Sequence, residues 1–315
     1  MIKIFFQNIK KICFFEKNSF MISILIPVYN FDVRKLVYEI NKQTKNKKID
    51  FEIILIDDKS KKIFVEKNRE LKNLESVIYI ELQKNIGRSK IRNLLAEKSK
   101  FEYLIFMDCD SEIENDNFIK NYLKFCKNEI IIYGGLNYKK KPPIDKKKYF
   151  RWFYGIKREV ISSEIRKQNS NKSFKTSNFL IHKNIFNKIK FDEKIKTYGH
   201  EDTIFGFELK KQNIKIIHID NPLIHIGLED NEVFLEKTKE AIENLKYISD
   251  KFHNENELFN DIKILKYYKI IKKLKIKFFI ILIFLIFKNL IIKNLKSQKP
   301  NLKLFDFYKI YFILK

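Results

Sequence analysis

The sequence predicts an α/β domain: a mixed, mainly parallel sheet flanked by helices, followed by a helical tail that is both basic and apolar. Three observations carry this. Short runs rich in β-branched, aliphatic and aromatic residues alternate with longer segments of helical spacing, the pattern of a parallel sheet covered on both faces. Two of those runs stop at paired carboxylates, Asp57-Asp58 and Asp108-Cys109-Asp110. The end of the chain changes character, with an unbroken apolar run, Phe278 to Phe287, among lysines.

Taken in order, Met1–Phe20 is apolar but broken by Lys3, Lys10, Lys11 and Lys17. It lacks an apolar stretch leading to a small-residue cleavage site, so it reads as a basic N-terminal extension and not as a signal peptide. Met21 to Asn30 is a first strand, stopped by Pro27 and the turn-former Asn30. Val33, Leu36, Val37 and Ile40 give a helix over 32–45. Phe51 to Asp58 is a second strand, 61–74 a helix, and Val77–Leu82 a third strand. Asn85-Ile86-Gly87 opens a helix on which Arg88 and Arg92, four apart, share one face. Tyr103–Met107 is the fourth strand. A helix over 116–127, a strand over Ile130–Tyr133 and a lysine- and proline-rich loop over 139–148 follow. The stretch 149–175 is aromatic and then polar. Phe174–His182 is strand-like and Lys183–Ile189 a short helix. Gly199 makes a turn before a helix whose first residues are Glu201 and Asp202, where acids suit the helix dipole. Ile214–Ile219 is a strand, Leu223–Gly227 a short apolar run carrying His225, and 230–252 an amphipathic helix.

The formal net charge of the 315 residues is +25. Residues 263–315 hold 14 Lys and one acid, Asp306, and residues 1–20 hold four Lys and one Glu. The remaining +9 is spread over the long middle. The charge belongs to the ends, so no nucleic-acid partner is expected. Three separated cysteines, Cys13, Cys109 and Cys126, give neither a disulfide framework nor a zinc spacing, which suits a reducing, cytosolic setting. The ten apolar residues from Phe278 span only ~15 Å as a helix, short of a ~30 Å hydrocarbon core. The tail therefore reads as a helix lying in a membrane interface with its lysines near anionic head groups, or else as a helix packed on protein.

The chemistry centres on Asp108 and Asp110. Two carboxylates at the carboxyl end of a central strand lie where open α/β sheets bind ligands. Side by side they repel unless a cation lies between them. The readings are a divalent-metal site for a phosphorylated ligand or a plain strand-to-loop turn. Arg88 and Arg92 either meet an anion or form a solvated face.

With these pieces in order, residues 21–240 resemble family 2 glycosyltransferases of the GT-A fold. The resemblance rests on Ser23-Ile-Leu-Ile-Pro-Val-Tyr-Asn30, Ile56-Asp-Asp-Lys-Ser60, Asn85-Ile-Gly87 with Arg92-Asn93, Met107-Asp-Cys-Asp110 and Tyr198-Gly-His-Glu-Asp202. The last is similar to a galactosyltransferase-type Gly-x-Glu-Asp ending. Lys59 stands where the family commonly has Gly, and Tyr198 where that ending often has Trp.

The resemblance implies a nucleotide-sugar-binding half over 21–115 and an acceptor-binding half over 116–262, while composition sets off a membrane-associating tail over 263–315. It implies a nucleotide-sugar donor, UDP-linked, held by Pro27, Tyr29, Asp57 or Asp58, Arg88, Arg92 and Asp108. Mn²⁺ or Mg²⁺ would be held by Asp110 and Asp108, with His225 as an additional ligand or a structural residue. Asp202 would be the general base of an inverting transfer and Glu201 a partner of sugar hydroxyls, or the two roles are exchanged. Trp152, Thr176, Asn178, Tyr198, Gly199 and His200 would shape the sugar and acceptor sites. The expected acceptor is a glycan or lipid-linked glycan, and the expected location is the cytoplasmic face of the cell membrane. A nucleotidyltransferase and a non-enzymatic basic module are the competing classes.

Overall fold

The computed structural model describes residues 20–45, 49–126, 129–195 and 197–315. The N-terminal extension, apart from Phe20, lies outside the described residues, as does Cys13. Four parallel strands form the first half: β1 (Phe20–Val28), β2 (Ile49–Asp57), β3 (Val77–Glu81) and β4 (Tyr103–Met107). Their side chains alternate between the two faces. Ile22, Ile24, Ile53, Leu55, Ile105 and Met107 enter one core layer, and Leu25, Ile54, Ile56, Leu104 and Phe106 the other. Burial on both faces explains why these strands read as continuous apolar runs.

The helices α1 (Arg34–Lys45), α2 (Lys62–Asn68) and α3 (Arg88–Lys98) connect these strands. From α1, Leu36, Val37 and Ile40 cover the first layer, while Ile91 and Leu95 of α3 cover the second. The second half adds β5 (Ser111–Glu112), α4 (Phe118–Leu123), β6 (Ile131–Tyr133), β7 (Leu136–Tyr138), α5 (Tyr149–Tyr154), α6 (Ser163–Gln168), β8 (Asn178–His182) and α7 (Lys183–Ile189). It closes with α8 (Glu201–Lys211), β9 (Ile217–His218), β10 (Leu223–His225) and α9 (Asn231–Lys251). The main sheet runs β3-β2-β1-β4-β8-β6-β9, with β8 antiparallel to both neighbours. A small sheet, β5-β10-β7, pairs His225 with Ser111 and so brings His225 beside the Asp108–Asp110 segment. Every β-strand of the first half ends at the same edge, where the candidate acids lie.

The tail is α10 (Asn256–Asp261), α11 (Lys263–Lys273), α12 (Lys277–Leu295) and α13 (Leu302–Leu314). Ile313 and Leu314 of α13 join Ile242, Leu245 and Ile248 of α9 in one core. Phe305 packs edge-on against Phe150 at 4.9 Å and on Phe234 at 5.6 Å. The C-terminal helical tail is present, and among the described residues its last helix packs on the apolar face of α9. The helix begun by the apolar run does not stop at Phe287. It continues through Lys288 and Asn289 for 19 residues, ~28 Å, and is long and apolar enough to cross a membrane by length and composition alone. One narrow stripe of it, Phe284, Ile291 and Leu295, is buried, with Phe284 stacked on Tyr311 at 4.0 Å.

Candidate active site

A cleft of about 390 Å³ opens at the carboxyl edge of the sheet. It is lined by Asp108 and Asp110 from beyond β4, His225 from β10, Tyr198 to Asp202 from the turn into α8, Thr176 before β8, and Arg88 from α3. Residues separated by more than a hundred positions thus meet in one place.

On the strand side, His225 Nδ1 lies 3.5 Å from Asp110 Oδ1. Burial works to neutralise both groups, but each charge outweighs it for the other: Asp110 is held below the ordinary carboxylate range and the imidazole is raised. Gly227 stands against Asp110, where a Cβ would fall 2.3 Å from Oδ2, so only glycine leaves room for that carboxylate. The ring of His225 packs edge-on to Tyr138 at 5.3 Å, and its buried Nε2 has no hydrogen-bond partner among the described residues.

Asp108 is engaged differently. Its Oδ1 accepts from Arg92 Nη2 at 2.6 Å, and Arg92, 1% exposed, also donates to the Arg88 carbonyl. Arg92 therefore steadies Asp108 from beneath and does not reach the cleft. Arg88 does reach the cleft. Its Nε donates to Glu201 Oε1 at 2.7 Å, and its guanidinium lies over the Tyr198 ring at 5.4 Å.

Facing these acids is the N-terminus of α8. The turn before it carries two residues with left-handed φ, Gly199 (+101°) and His200 (+71°). Gly199 also packs where a Cβ would meet Ala241 of α9 at 2.6 Å. Burial lowers His200 to about 4, so the imidazole stands neutral. Glu201 is held ionised against its burial by Arg88, and Asp202 against its burial by Lys175, whose Nζ donates to Oδ2 at 2.6 Å. Asp202 Oδ1 accepts from the Thr203 backbone N–H at 2.7 Å.

Other expected residues lie elsewhere. Asp57 accepts from the Ser60 N–H and the Tyr79 hydroxyl, and Asp58 from the N–H groups of Ile86 and Gly87. Both are almost fully buried. Their oxygens tie the β2 end to the start of α3, and they sit with Pro27 and Tyr29 beyond the cleft lining. Tyr29 is exposed. Asn178 is fully buried and bonds Tyr122, Gly135 and Asn221, a core role. Trp152 donates to the Lys139 carbonyl outside the cleft. Burial pushes the Cys109 thiol far up, which disqualifies it as a nucleophile.

Sequence reasoning missed a buried charge cluster in the same cleft. Arg151 of α5 donates to Glu159 at 3.0 Å and lies 3.3 Å from Glu229, with Tyr138 donating to Glu159 and Lys237 paired with Glu229. The only hint was one arginine inside the aromatic stretch 149–154.

The mainly parallel sheet flanked by helices is the architecture that the resemblance to GT-A enzymes implies. The glycosyl transferase family 2 profile matches residues 23–195, more than half of the chain. The chain belongs to glycosyl transferase family 2. No curated protein matches it. Among solved structures it is similar to the mannosyltransferase PcManGT from Pyrobaculum calidifontis in complex with GDP-Man and Mn²⁺, at 11% identity and a TM-score of 0.53 over 72% of this chain and 63% of that one. It is also similar to S. aureus TarS 1–349 in complex with UDP-GlcNAc, at 17% identity and a TM-score of 0.49 over 70% and 65%. The chain thus spans just under two thirds of these structures, and at such identities the likeness concerns the fold.

The residues present fit a divalent cation. Among the described residues no three acid, His or Cys side chains converge on one point. Asp110 and His225 do stand side by side, with Asp108 alongside and an orphaned imidazole nitrogen in the same pocket. A carboxylate beside an imidazole is a donor chemistry suited to Mn²⁺ and compatible with Mg²⁺.

Proposed function

We propose that the protein is an inverting, metal-dependent glycosyltransferase. It moves a hexosyl or N-acetylhexosaminyl group from a nucleotide-sugar, UDP-linked in our reading, to a hydroxyl of a glycan or lipid-linked glycan. The observation that carries this is the opposition of Asp110 and His225 to Glu201 and Asp202 across one cleft, with Arg88 between them. A structure of similar fold holds GDP-Man and Mn²⁺, which supports a nucleotide-sugar and a divalent cation here.

In this reading Asp110, His225 and Asp108 would hold Mn²⁺ or Mg²⁺, which when bound would supply positive charge beside the leaving nucleoside diphosphate. Arg88 adds a second positive group on that side. Asp202, ionised at neutral pH, takes the proton from the acceptor hydroxyl as it attacks the anomeric carbon from the face opposite the nucleotide. Lys175 orients Asp202, and Glu201 fixes Arg88. Tyr198, Thr176 and the neutral His200 present the polar and aromatic groups that a sugar ring meets, as in a galactosyltransferase-type acceptor site. The basic tail and the exposed face of α12 support a peripheral position at the cytoplasmic face of the membrane.

Isothermal titration with a panel of UDP- and GDP-sugars, with and without Mn²⁺, tests the donor half. One donor is expected to bind about tenfold or more tightly with metal than without. Absence of metal-dependent binding to every donor sinks the proposal.

A further inference from the structure

The loop between β7 and α5 carries a surface that the cleft does not use. It leaves β7 directly after Tyr138, whose ring packs on His225, and covers 139–148. Two runs of lysine, Lys139–Lys141 and Lys146–Lys148, flank Pro142-Pro143-Ile144-Asp145. Lys139 is paired with Glu112 and Glu114. Lys140, Lys141, Lys146 and Lys147 are exposed, and their ammonium groups meet no carboxylate among the described residues.

Ile144, between the two runs, is fully exposed. A scattered exposed aliphatic side chain is ordinary, but this one stands at the tip of a loop tied down at both ends. At one end the Trp152 indole donates to the Lys139 carbonyl at 2.8 Å. At the other, Asp145 accepts the Lys147 N–H at 2.9 Å, and the buried Asn231 amide donates to the Lys146 carbonyl at 3.4 Å. The two prolines fix φ between these ties. The tip is thus preorganised, and burying it against a partner costs little further chain entropy.

The chemistry of the partner follows from the groups presented together. Unpaired ammonium groups suit anions, and an aliphatic tip among them suits hydrocarbon just beyond those anions. A bilayer with acidic head groups offers both in that order. A nucleic-acid backbone answers the lysines and leaves Ile144 in water.

A second observation joins the loop to the tail. The Asn231 amide that holds Lys146 also donates to the Lys296 carbonyl, at 3.4 Å. Lys296 directly follows α12. The loop therefore adjoins the end of the helix whose Phe278, Phe279, Ile286 and Leu290 are each at least 63% exposed.

We propose that the 139–148 loop is a second membrane contact. Ile144 enters the acyl boundary of an anionic leaflet, and Lys140, Lys141, Lys146 and Lys147 meet its head groups. A single helix lying on a bilayer leaves the protein free to roll about the helix axis. A second contact stops that roll, and because this one hangs from the strand beside His225 it fixes which way the cleft faces. The inference rests on the peripheral membrane position proposed above and adds to it a contact outside the tail.

The test is sedimentation of the full chain with phosphatidylcholine vesicles carrying about 30 mol% phosphatidylserine, and with phosphatidylcholine alone. The unmodified protein is expected to bind the anionic vesicles at least tenfold more tightly. Ile144→Glu and, separately, the combined Lys140→Gln, Lys141→Gln, Lys146→Gln and Lys147→Gln are each expected to weaken that binding about fivefold or more. Melting temperatures should stay unmoved, since all five positions are exposed. Ile144→Trp adds an indole to the single one present, Trp152. Its emission is expected to move to shorter wavelength on anionic vesicles, beyond any shift of the unmodified protein. If the unmodified protein binds and all the loop variants bind equally well, the loop contact is overturned and the α12 contact stands. If only the lysine variant weakens binding and the Ile144→Trp emission does not move, insertion is overturned and the loop is a surface for polyanions. If the unmodified protein binds no anionic vesicle, this contact and the membrane position fall together. Donor hydrolysis reports on glycosyl transfer independently of each of these results.

Discussion

Replacing Asp202 by Asn separates the two acids at the head of α8. The substitution removes the proton acceptor but keeps an oxygen to receive the Thr203 N–H, so the first turn of the helix is preserved. It leaves Lys175 without its carboxylate, yet that side chain is 48% exposed, so water replaces the partner and the pair is worth no more than about 1 kcal/mol. For a chain of this size that is a melting shift of about 3 °C at most. Loss of a general base costs about 10²- to 10⁴-fold in transfer rate, roughly 2.7–5.5 kcal/mol of barrier. Activity and stability should therefore part company: transfer collapses while the protein stays folded and donor affinity changes little. Glu201→Gln should show the reverse balance, since Glu201 is 5% exposed and its charge compensates Arg88. The assay is product formation from labelled donor under saturating acceptor, with thermal melts on the same samples. The reasoning is refuted if Asp202→Asn keeps more than about a tenth of wild-type transfer while Glu201→Gln loses the larger factor given above.

Other consequences are open to measurement. Lys175→Gln removes the charge that holds Asp202 low while leaving its burial, so the acid limb of the pH–rate profile should move to higher pH; an unmoved limb would remove Asp202 from the base role. Arg92→Met strands Asp108, which is about a quarter exposed, and should cost about 2–4 kcal/mol in urea unfolding, with Asp108→Asn in the same background recovering part of it. His200 is lowered to about 4 from 6.5, so the unfolded chain binds its proton first. Its contribution is therefore complete above pH 6.5 and lost as pH falls towards 4, on the order of 3 kcal/mol. His200→Asn, which tolerates left-handed φ, should flatten that slope in urea titrations at successive pH values. Ile286→Glu, on the exposed face of α12, should reduce sedimentation with anionic liposomes without changing the melting temperature, whereas unaltered sedimentation would detach α12 from membrane contact.

Much of the fold was legible because it depends on local pattern. Tyr103–Met107 and Lys183–Ile189 fall where spacing and β-propensity put them, and the βα alternation gives the parallel half of the sheet directly. The small sheet was not legible: β5 has two residues and β7 and β10 three each, too few for any period to register. The acid pairs at 108–110 and 201–202 were legible as motifs, and the cleft unites them. What their neighbours do was not. The partners of Asp57 and Asp58 within the fold, the Ser60 N–H and Tyr79 hydroxyl for one and the Ile86 and Gly87 N–H groups for the other, could not be read from the sequence. The Arg151 cluster draws on Tyr138, Glu159 and Glu229, whose convergence is tertiary. The tail helix was legible but its partner was not: α12 is apolar on nearly every side, so the stripe that packs on α13 could not be told from the face that does not.

The most direct test of the account is a donor-hydrolysis screen, because slow hydrolysis needs no acceptor. The purified chain is incubated with individual UDP-, GDP- and other nucleotide-sugars, with Mn²⁺ or Mg²⁺ and with chelator, and the released nucleotide is identified. Release of a nucleoside diphosphate from one donor, abolished by chelator and strongly reduced in Asp110→Asn, is the expected result. Pyrophosphate release would indicate a nucleotidyltransferase, and hydrolysis of no donor under any metal condition would contradict the assignment of this cleft to glycosyl transfer.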